Sequence, residues 1–260
     1  MNTDKEKLPQ LRVLVTAGAG GIGRVIAESF AQTGARLHIC DIADAALDEI
    51  KEIHPTWGVS RCDVSQADQV VELFEEVEAQ LGGLDVLINN AGIAGPTGGV
   101  EEISPDDWRR TVDINLNGQF YCAKGAVPFL RQSQNASIIC ISSVAGRLGY
   151  AYRTPYAATK WAINGLAKSL AIELGPTGIR VNSLLPGIVE GERIEKVISD
   201  RAQALEVSYD DMEQEYINKV SLRRMVTPQD VANQAVFLCS SAGMNISGQT
   251  ISICGNVEVL

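Results

Sequence analysis

The chain is 260 residues long, 45% hydrophobic and 21% charged, with a formal net charge of −10 and a sequence pI of about 4.8. The apolar share suffices for one large core and argues against disorder, while the acidic balance leaves no basic footprint for nucleic acid. No run approaches the ~20 apolar residues of a membrane span, and the polar start MNTDKEKLPQ has no apolar signal region, so the cytoplasm is the expected location.

Apolar runs and amphipathic stretches alternate along the chain. RVLVTA (12–17) reads as a strand, followed by glycines and the helical stretch RVIAESFAQTG. ARLHICD (35–41) is a second strand, 44–51 a short helix and VSRCDV (59–64) a third strand. From Ala67 to Gln80, Val70, Leu73, Phe74 and Val77, with Leu81 beyond, share one helical face. LDVLINN (84–90), ASIICISS (136–143) and IRVNSLLP (179–186) are further strands. Long helical patterns run from Pro105, behind the cap candidate Ser104, to Arg131, and from Tyr156 to Leu174. A last helix, Pro228 to Cys239, leads into QTISIC. This alternation predicts a single α/β domain over 1–260, a doubly wound parallel sheet of Rossmann type with its ligand site beyond the carboxyl ends of the strands. Residues 187–226 break the rhythm as an acidic, mostly helical insertion, well placed to be a substrate lid.

Cys40, Cys62, Cys122, Cys140, Cys239 and Cys254 form no CxxC pair and are expected to be buried, reduced thiols. His38 and His54 lack a second ligand at metal spacing, so no catalytic metal is expected. Trp57, Trp108 and Trp161 are read as packing residues.

Two segments carry chemistry. After the first strand comes Thr16-Ala17-Gly18-Ala19-Gly20-Gly21-Ile22-Gly23, in which Gly18, Gly20 and Gly23 match GxGxxG, with Gly21 and Ile22 in the same turn. Such glycines let the backbone turn tightly against a pyrophosphate held at a helix N-terminus. About 20 residues on, Asp41 ends the next strand, where a carboxylate can bind a ribose diol and repel a 2′-phosphate. In the second segment Tyr156 follows Ser143 by 13 residues and Lys160 follows Tyr156 by four, one helical turn. A lysine cation beside a phenol favours the phenolate, and a serine at a strand end can hydrogen-bond a substrate oxygen.

On TAGAGGIG, Asp63-Val64, Asn89-Asn90-Ala91-Gly92, Asn115, Ser143, YAATK (156–160) and Pro186-Gly187, in that order over nearly the whole chain, the sequence resembles the short-chain dehydrogenase/reductase family. The resemblance implies Tyr156 as catalytic acid/base, Ser143 as substrate-polarising group, and Lys160 as ligand of the nicotinamide ribose. It implies that Asn115 holds a water in a proton relay, that Asp63 and Val64 flank the adenine, that Asn90 and Ala91 lie on the cofactor's ribose side, and that Ile188 meets the carboxamide. It also implies a homotetramer built on helix pairs near 105–131 and 156–174. For Asn89, a backbone tie across strands is the better reading. Two departures stand out: Ala17 occupies the place of the family's first glycine, and Gly191 the place of a threonine after Pro186-Gly187.

The expected function is therefore NAD-dependent oxidation of a secondary alcohol or lactol. Small and polar residues in 95–99 and 147–153 favour a compact hydroxylated substrate, a sugar or sugar-acid derivative, neutral or anionic, giving a lactone if the hydroxyl is anomeric. Arg147, Arg153 and Arg193 are candidates to hold an anionic group. A 3-oxoacyl-carrier reductase and a non-catalytic NAD-sensing regulator are the alternatives. Asp41 and the net charge oppose the first, and the intact Ser143–Tyr156–Lys160 set opposes the second.

Overall fold

Alternation along each strand decides which helices cover which face of the sheet. In β1 (Arg12–Thr16), Leu14 points to one side, and Val13 and Val15 to the other. Leu14 joins a core with Leu73, Phe74 and Val77 of α3 (Ala67–Leu81), Cys122 and Ala126 of α5 (Gly118–Leu130), and Ile163 of α6 (Thr154–Leu174). Val13 and Val15 pack instead on α1 (Gly21–Gln32), α2 (Asp44–Ile53) and α9 (Pro228–Cys239), through Ile26, Phe30, Ile50 and Val231. Central strands buried on both faces require helices on both, as their continuous apolar sequences foretell.

The computed structural model describes residues 10–258. Beyond β1 come β2 (Arg36–Asp41), β3 (Gly58–Arg61), β4 (Val86–Asn89), β5 (Ser137–Ile141), β6 (Arg180–Pro186) and β7 (Thr250–Ile253). They form one seven-stranded sheet in the order β3-β2-β1-β4-β5-β6-β7, every pair parallel. The chain winds outward from β1 to β3, then returns through α3 to β4 on the other side of β1. The strand order thus reverses between β1 and β4, and a cleft opens there at the carboxyl ends.

Two differences from the sequence reading shape the cleft. The strand expected over 59–64 stops at Arg61, because Asp63 Oδ1 accepts from Ser65 N (2.9 Å) and Ser65 Oγ (2.7 Å) and turns the chain. The helix expected without a break over 105–131 is α4 (Pro105–Val112), a π turn over Asp113–Asn117, and α5. Ser104 caps α4 as expected, accepting from Asp107 N at 3.0 Å. In the π turn Gly118 N donates to Asp113 O, and a Cβ on Gly118 would lie 2.7 Å from Val64 Cγ2. The widened turn carries Asn115, fully buried, toward the cleft.

Residues 187–226 hold α7 (Glu192–Ala204) and α8 (Tyr209–Asn218). Ile198, Met212 and Tyr216 pack over Val144, Ile188 and Val257, and the segment is tied down by the bridges Val189–Val226 and Val220–Val257. All six cysteines are free and buried. His38 Nε2 lies 2.6 Å from Ser60 Oγ, and His54 stacks on Trp57 with ring centroids 3.9 Å apart. Trp108 and Trp161 are not core residues, being 40% and 53% exposed on α4 and α6. Among the described residues no helix is long and apolar enough to cross a membrane, and no three His, Cys, Asp or Glu side chains form a metal-binding group.

Candidate active site

The glycine turn is built from three different constraints. A Cβ on Gly18 would sit 2.8 Å from Ile39 Cβ, and one on Gly23 would sit 2.1 Å from Ala17 O and 2.6 Å from Asn90 Nδ2, so both are places of close approach. Gly21, the first residue of α1, has φ +51. Ala17, where the family has glycine, also takes a left-handed backbone at φ +49, a conformation that L-residues adopt at a cost. Gly20, the N-cap, and Gly21 face open space, and no side chain caps the first turn of α1. The amides at that positive helix end are free to receive an anion. Ile22 packs its side chain on the neighbouring core, so only its backbone belongs to the turn.

A cavity of about 590 Å³ continues from this turn, lined by Ala17, Asp41, Asp63, Val64, Ala91 and Ile93 among others. Asp41 Oδ1 accepts from Ile42 N (2.8 Å) and Ala43 N (3.2 Å), while Oδ2 has only a long contact from Ala19 N (3.3 Å). One carboxylate oxygen is therefore held by the chain and the other is available to a ligand. Asn90, expected on the cofactor's ribose side, uses its side chain within the protein. Its Nδ2 donates to Thr16 O (3.0 Å) and Ala17 O (3.1 Å), holding the turn in place. The Thr16 hydroxyl accepts from Asn90 N and Ala91 N, both at 2.9 Å. Asn89 Nδ2 donates to Gln119 O (2.7 Å), so it ties β4 to a helix rather than to a strand.

At the other end of the cleft, Tyr156 stands in the first turn of α6 behind Pro155, half-buried. Lys160, one turn on and 4% exposed, donates from Nζ to Ile141 O (2.9 Å), which sets Nζ 5.6 Å from the Tyr156 ring centroid. Ser143 follows β5, its Oγ accepting from Ala145 N (3.2 Å). Asn115 exchanges two hydrogen bonds with the backbone of Ile93, accepting at 2.7 Å and donating at 3.1 Å. Its Nδ2 also donates to Thr159 Oγ1 (3.1 Å), whose hydroxyl donates to Tyr156 O (2.8 Å). A Cβ on Gly92 would lie 3.2 Å from Asn115 Oδ1 and 3.5 Å from Lys160 Nζ, so these two side chains converge there.

Electrostatics act on the phenol in opposition. Burial alone would push the Tyr156 hydroxyl up, but the cations of Lys160 and Arg193, the Ser143 hydroxyl and the Arg153 cation together hold it below the ordinary tyrosine range. Lys160 is itself held below the ordinary lysine range, first by burial and further by Arg193, against the pull of Tyr156. The guanidinium carbons of Arg153 and Arg193 lie 5.4 and 5.9 Å from the Tyr156 ring centroid. Arg147 is not part of this group. Its Nη2 donates to Val257 O (2.6 Å) and pairs with Glu258 (3.3 Å), which anchors the C-terminal segment. Ile188, 7% exposed, lies under the lid. Gly191 has φ +131, so the backbone bends where a threonine could not follow without strain.

Three contributors escaped the sequence reading. Thr159 links Asn115 to Tyr156, Thr16 ties the glycine turn to β4, and Arg110 lines the cavity from α4. Thr159 lies inside YAATK, but only the packing of α6 on the π turn reveals its partner.

Comparison with known proteins agrees with this architecture. The family model described as "Enoyl-(Acyl carrier protein) reductase" matches residues 17–256. The chain is 32% identical over 258 residues to the 7alpha-hydroxysteroid dehydrogenase of Escherichia coli (strain K12), covering 98% of this chain and 96% of that one. It is 34% identical over 249 residues to the 3-oxoacyl-[acyl-carrier-protein] reductase FabG of Staphylococcus aureus (strain N315), covering 94% and 96%. Among solved structures, actinorhodin polyketide ketoreductase with NADPH superposes with TM-score 0.90 at 29% identity, covering 95% of this chain and 97% of that one. NAD+-bound xylitol dehydrogenase superposes with TM-score 0.88 at 25% identity, covering 97% and 100%. The chain belongs to the short-chain dehydrogenase/reductase family of oxidoreductases.

Proposed function

We propose that this protein is an NAD-dependent dehydrogenase that oxidises a secondary alcohol or lactol of a small polar substrate, a sugar or sugar-acid derivative, with a lactone as product when the hydroxyl is anomeric. The convergence of Ser143, Lys160, Arg153 and Arg193 on Tyr156 carries the reading, since it gathers a base and the charges that tune it at one point. Xylitol dehydrogenase among the structural neighbours and the polar walls at 95–99 and 147–153 support the substrate class.

The cleft fits a dinucleotide. Gly18, Gly20, Gly21, Ile22 and Gly23 would offer backbone to its pyrophosphate, Asp41 Oδ2 to the adenosine ribose, and Asp63 and Val64 would flank the adenine. Asn90 and Ala91 would border the ribose side and Ile188 the carboxamide. A nicotinamide held there would supply the acceptor for the hydride of the carbinol carbon. Tyr156 Oη, favoured as phenolate by its neighbours, takes the hydroxyl proton, and the Ser143 hydroxyl orients the substrate oxygen. Lys160 Nζ would hold the nicotinamide ribose and hand the proton on toward a water at Asn115. We assign Arg147 to the C-terminal anchor instead of the substrate. The same reading makes the protein a single-domain cytoplasmic homotetramer, joined through α4–α6, where Trp108, Phe120, Trp161 and Ile172 are exposed.

A 3-oxoacyl-carrier reductase is the second reading, favoured by the Staphylococcus aureus relative. A net charge of −10 suits an acidic carrier poorly, and Asp41 suits NADPH poorly.

The test is a panel of alcohols, sugars and diols with NAD, followed by NADH absorbance. Tyr156→Phe is expected to lower kcat about 10²–10⁴-fold while NAD affinity is kept. Retention of half the activity would defeat the mechanism.

A further inference from the structure

Arg153 is a buried arginine beside the reacting tyrosine. It is 9% exposed at the start of α6, with its guanidinium carbon 5.4 Å from the ring centroids of both Tyr150 and Tyr156. Nη2 donates to Ala94 O (2.8 Å), yet Nε is buried with no hydrogen-bond partner. Elsewhere, Arg12 meets Asp85, and the buried Arg180 gives its nitrogens to Leu238 O, Gly243 O and Asn135 Oδ1. Among the described residues no carboxylate stands within ion-pair distance of Arg153 or of Arg193, which reaches the same tyrosine from α7 of the lid. Lys160 adds a third cation. Of these cations Arg153 and Lys160 are buried, and a single phenolate offsets only one of the two, which leaves a buried charge uncompensated at a cost.

We propose that Arg153 and Arg193 are the two arms of a carboxylate site, so that the substrate is a polyhydroxy acid whose carboxylate lies on a carbon next to, or one removed from, the carbinol. This rests on the alcohol-oxidising reading above. Both guanidinium carbons are within 6 Å of the Tyr156 ring centroid, at 5.4 and 5.9 Å, which leaves room for only a short spacer between the acid group and the reacting hydroxyl. Arg153, its guanidinium carbon 5.4 Å from two tyrosine rings and its Nη2 held by Ala94 O, keeps Nε unpaired for a carboxylate, while exposed Arg193 would close on the anion from the lid. A carboxylate held by both arms joins the lid to the sheet side of the cleft, so substrate binding and lid closure coincide.

The experiment compares four- to six-carbon aldonates with alditols of the same chain length, and with the sugar phosphates, as substrates with NAD. Aldonates are expected to exceed the matched alditols about tenfold or more in kcat/KM. Arg153→Gln and Arg193→Gln are each expected to lower the aldonate-to-alditol ratio by about tenfold or more, and the ratio cancels any shared effect on Tyr156. Aldonate should also raise the Tm of the wild-type enzyme–NADH complex and fail to do so in Arg153→Gln. Equal use of aldonates and alditols, a preference for phosphates, or an unchanged ratio in both variants would overturn the carboxylate site and leave the dehydrogenase reading intact. Oxidation confined to hydrophobic alcohols would overturn the polyol reading and the site together, as would absence of any turnover combined with absence of an aldonate effect on Tm.

Discussion

Replacing Asp41 with Ala separates the part of cofactor choice that the chain holds rigidly from the part it offers to a ligand. Oδ1 is engaged by the Ile42 and Ala43 amides at 2.8 and 3.2 Å, whereas Oδ2 is left with a contact of 3.3 Å from Ala19 N. The free oxygen has capacity for one or two hydrogen bonds from a ribose diol. A hydrogen bond to a charged group contributes roughly 1.5–3 kcal/mol, so losing one weakens NAD by about 10–150-fold. Toward NADP the sign reverses, because the substitution removes the repulsion between a carboxylate and a 2′-phosphate. The ratio of kcat/KM for NAD over NADP should therefore fall by more than the loss with NAD alone. Steady-state rates with each nucleotide at saturating alcohol, read by absorbance of the reduced cofactor, give both numbers. Ala43 is also the N-cap of α2, so a thermal melt of the free variant is needed to show that the fold survives loss of the two amide contacts. An unchanged KM for NAD, or a wild-type enzyme that uses both cofactors equally, would refute the reasoning.

The rate of alcohol oxidation should rise with pH as Tyr156 deprotonates, with a midpoint below that of an ordinary tyrosine, since Lys160, Arg193, Ser143 and Arg153 outweigh its burial. Arg193→Ala or Lys160→Met removes a cation that favours the phenolate, so each should move the midpoint to higher pH, and a midpoint that stays or falls would contradict the geometry. Asn115→Ala leaves the N–H and C=O of Ile93 without their side-chain partner and should destabilise the fold by about 1–3 kcal/mol, measured by denaturant unfolding. Burial pushes the Cys140 thiol up to about 12 and Cys239 to about 11, and raises Cys122 as well. These three should resist an aromatic disulfide reagent until the protein is unfolded, and rapid labelling of the native protein at any of them would show the core to be looser than described.

The parallel sheet covered by helices on both faces was legible in the sequence because strands buried on both sides must be continuously apolar. RVLVT and SIICI permit few other fates. Tyr156 and Lys160 were legible for a similar reason, since one helical turn fixes their relation without help from the rest of the chain. Asp41 could be placed because a strand end follows directly from the apolar run before it. What the sequence left undecided lies where groups distant in the chain meet. Nothing local marks Asp113–Asn117 as a π turn, which forms where Gly118 lies against Val64 and aims Asn115 at Ile93 and Thr159. Nothing local shows that the Asn90 side chain also ties the glycine turn, which follows from its amide donating to Thr16 O and Ala17 O. Arg147, Arg153 and Arg193 were equivalent candidates by composition, and only packing distinguishes them. The C-terminal segment takes Arg147, while α6 and the lid bring the other two to Tyr156. Periodicity and short spacings are properties of a single segment and can be read from it. A hydrogen-bond partner some 20 to 110 residues away depends on the closure of the whole chain, and only the tertiary structure decides it.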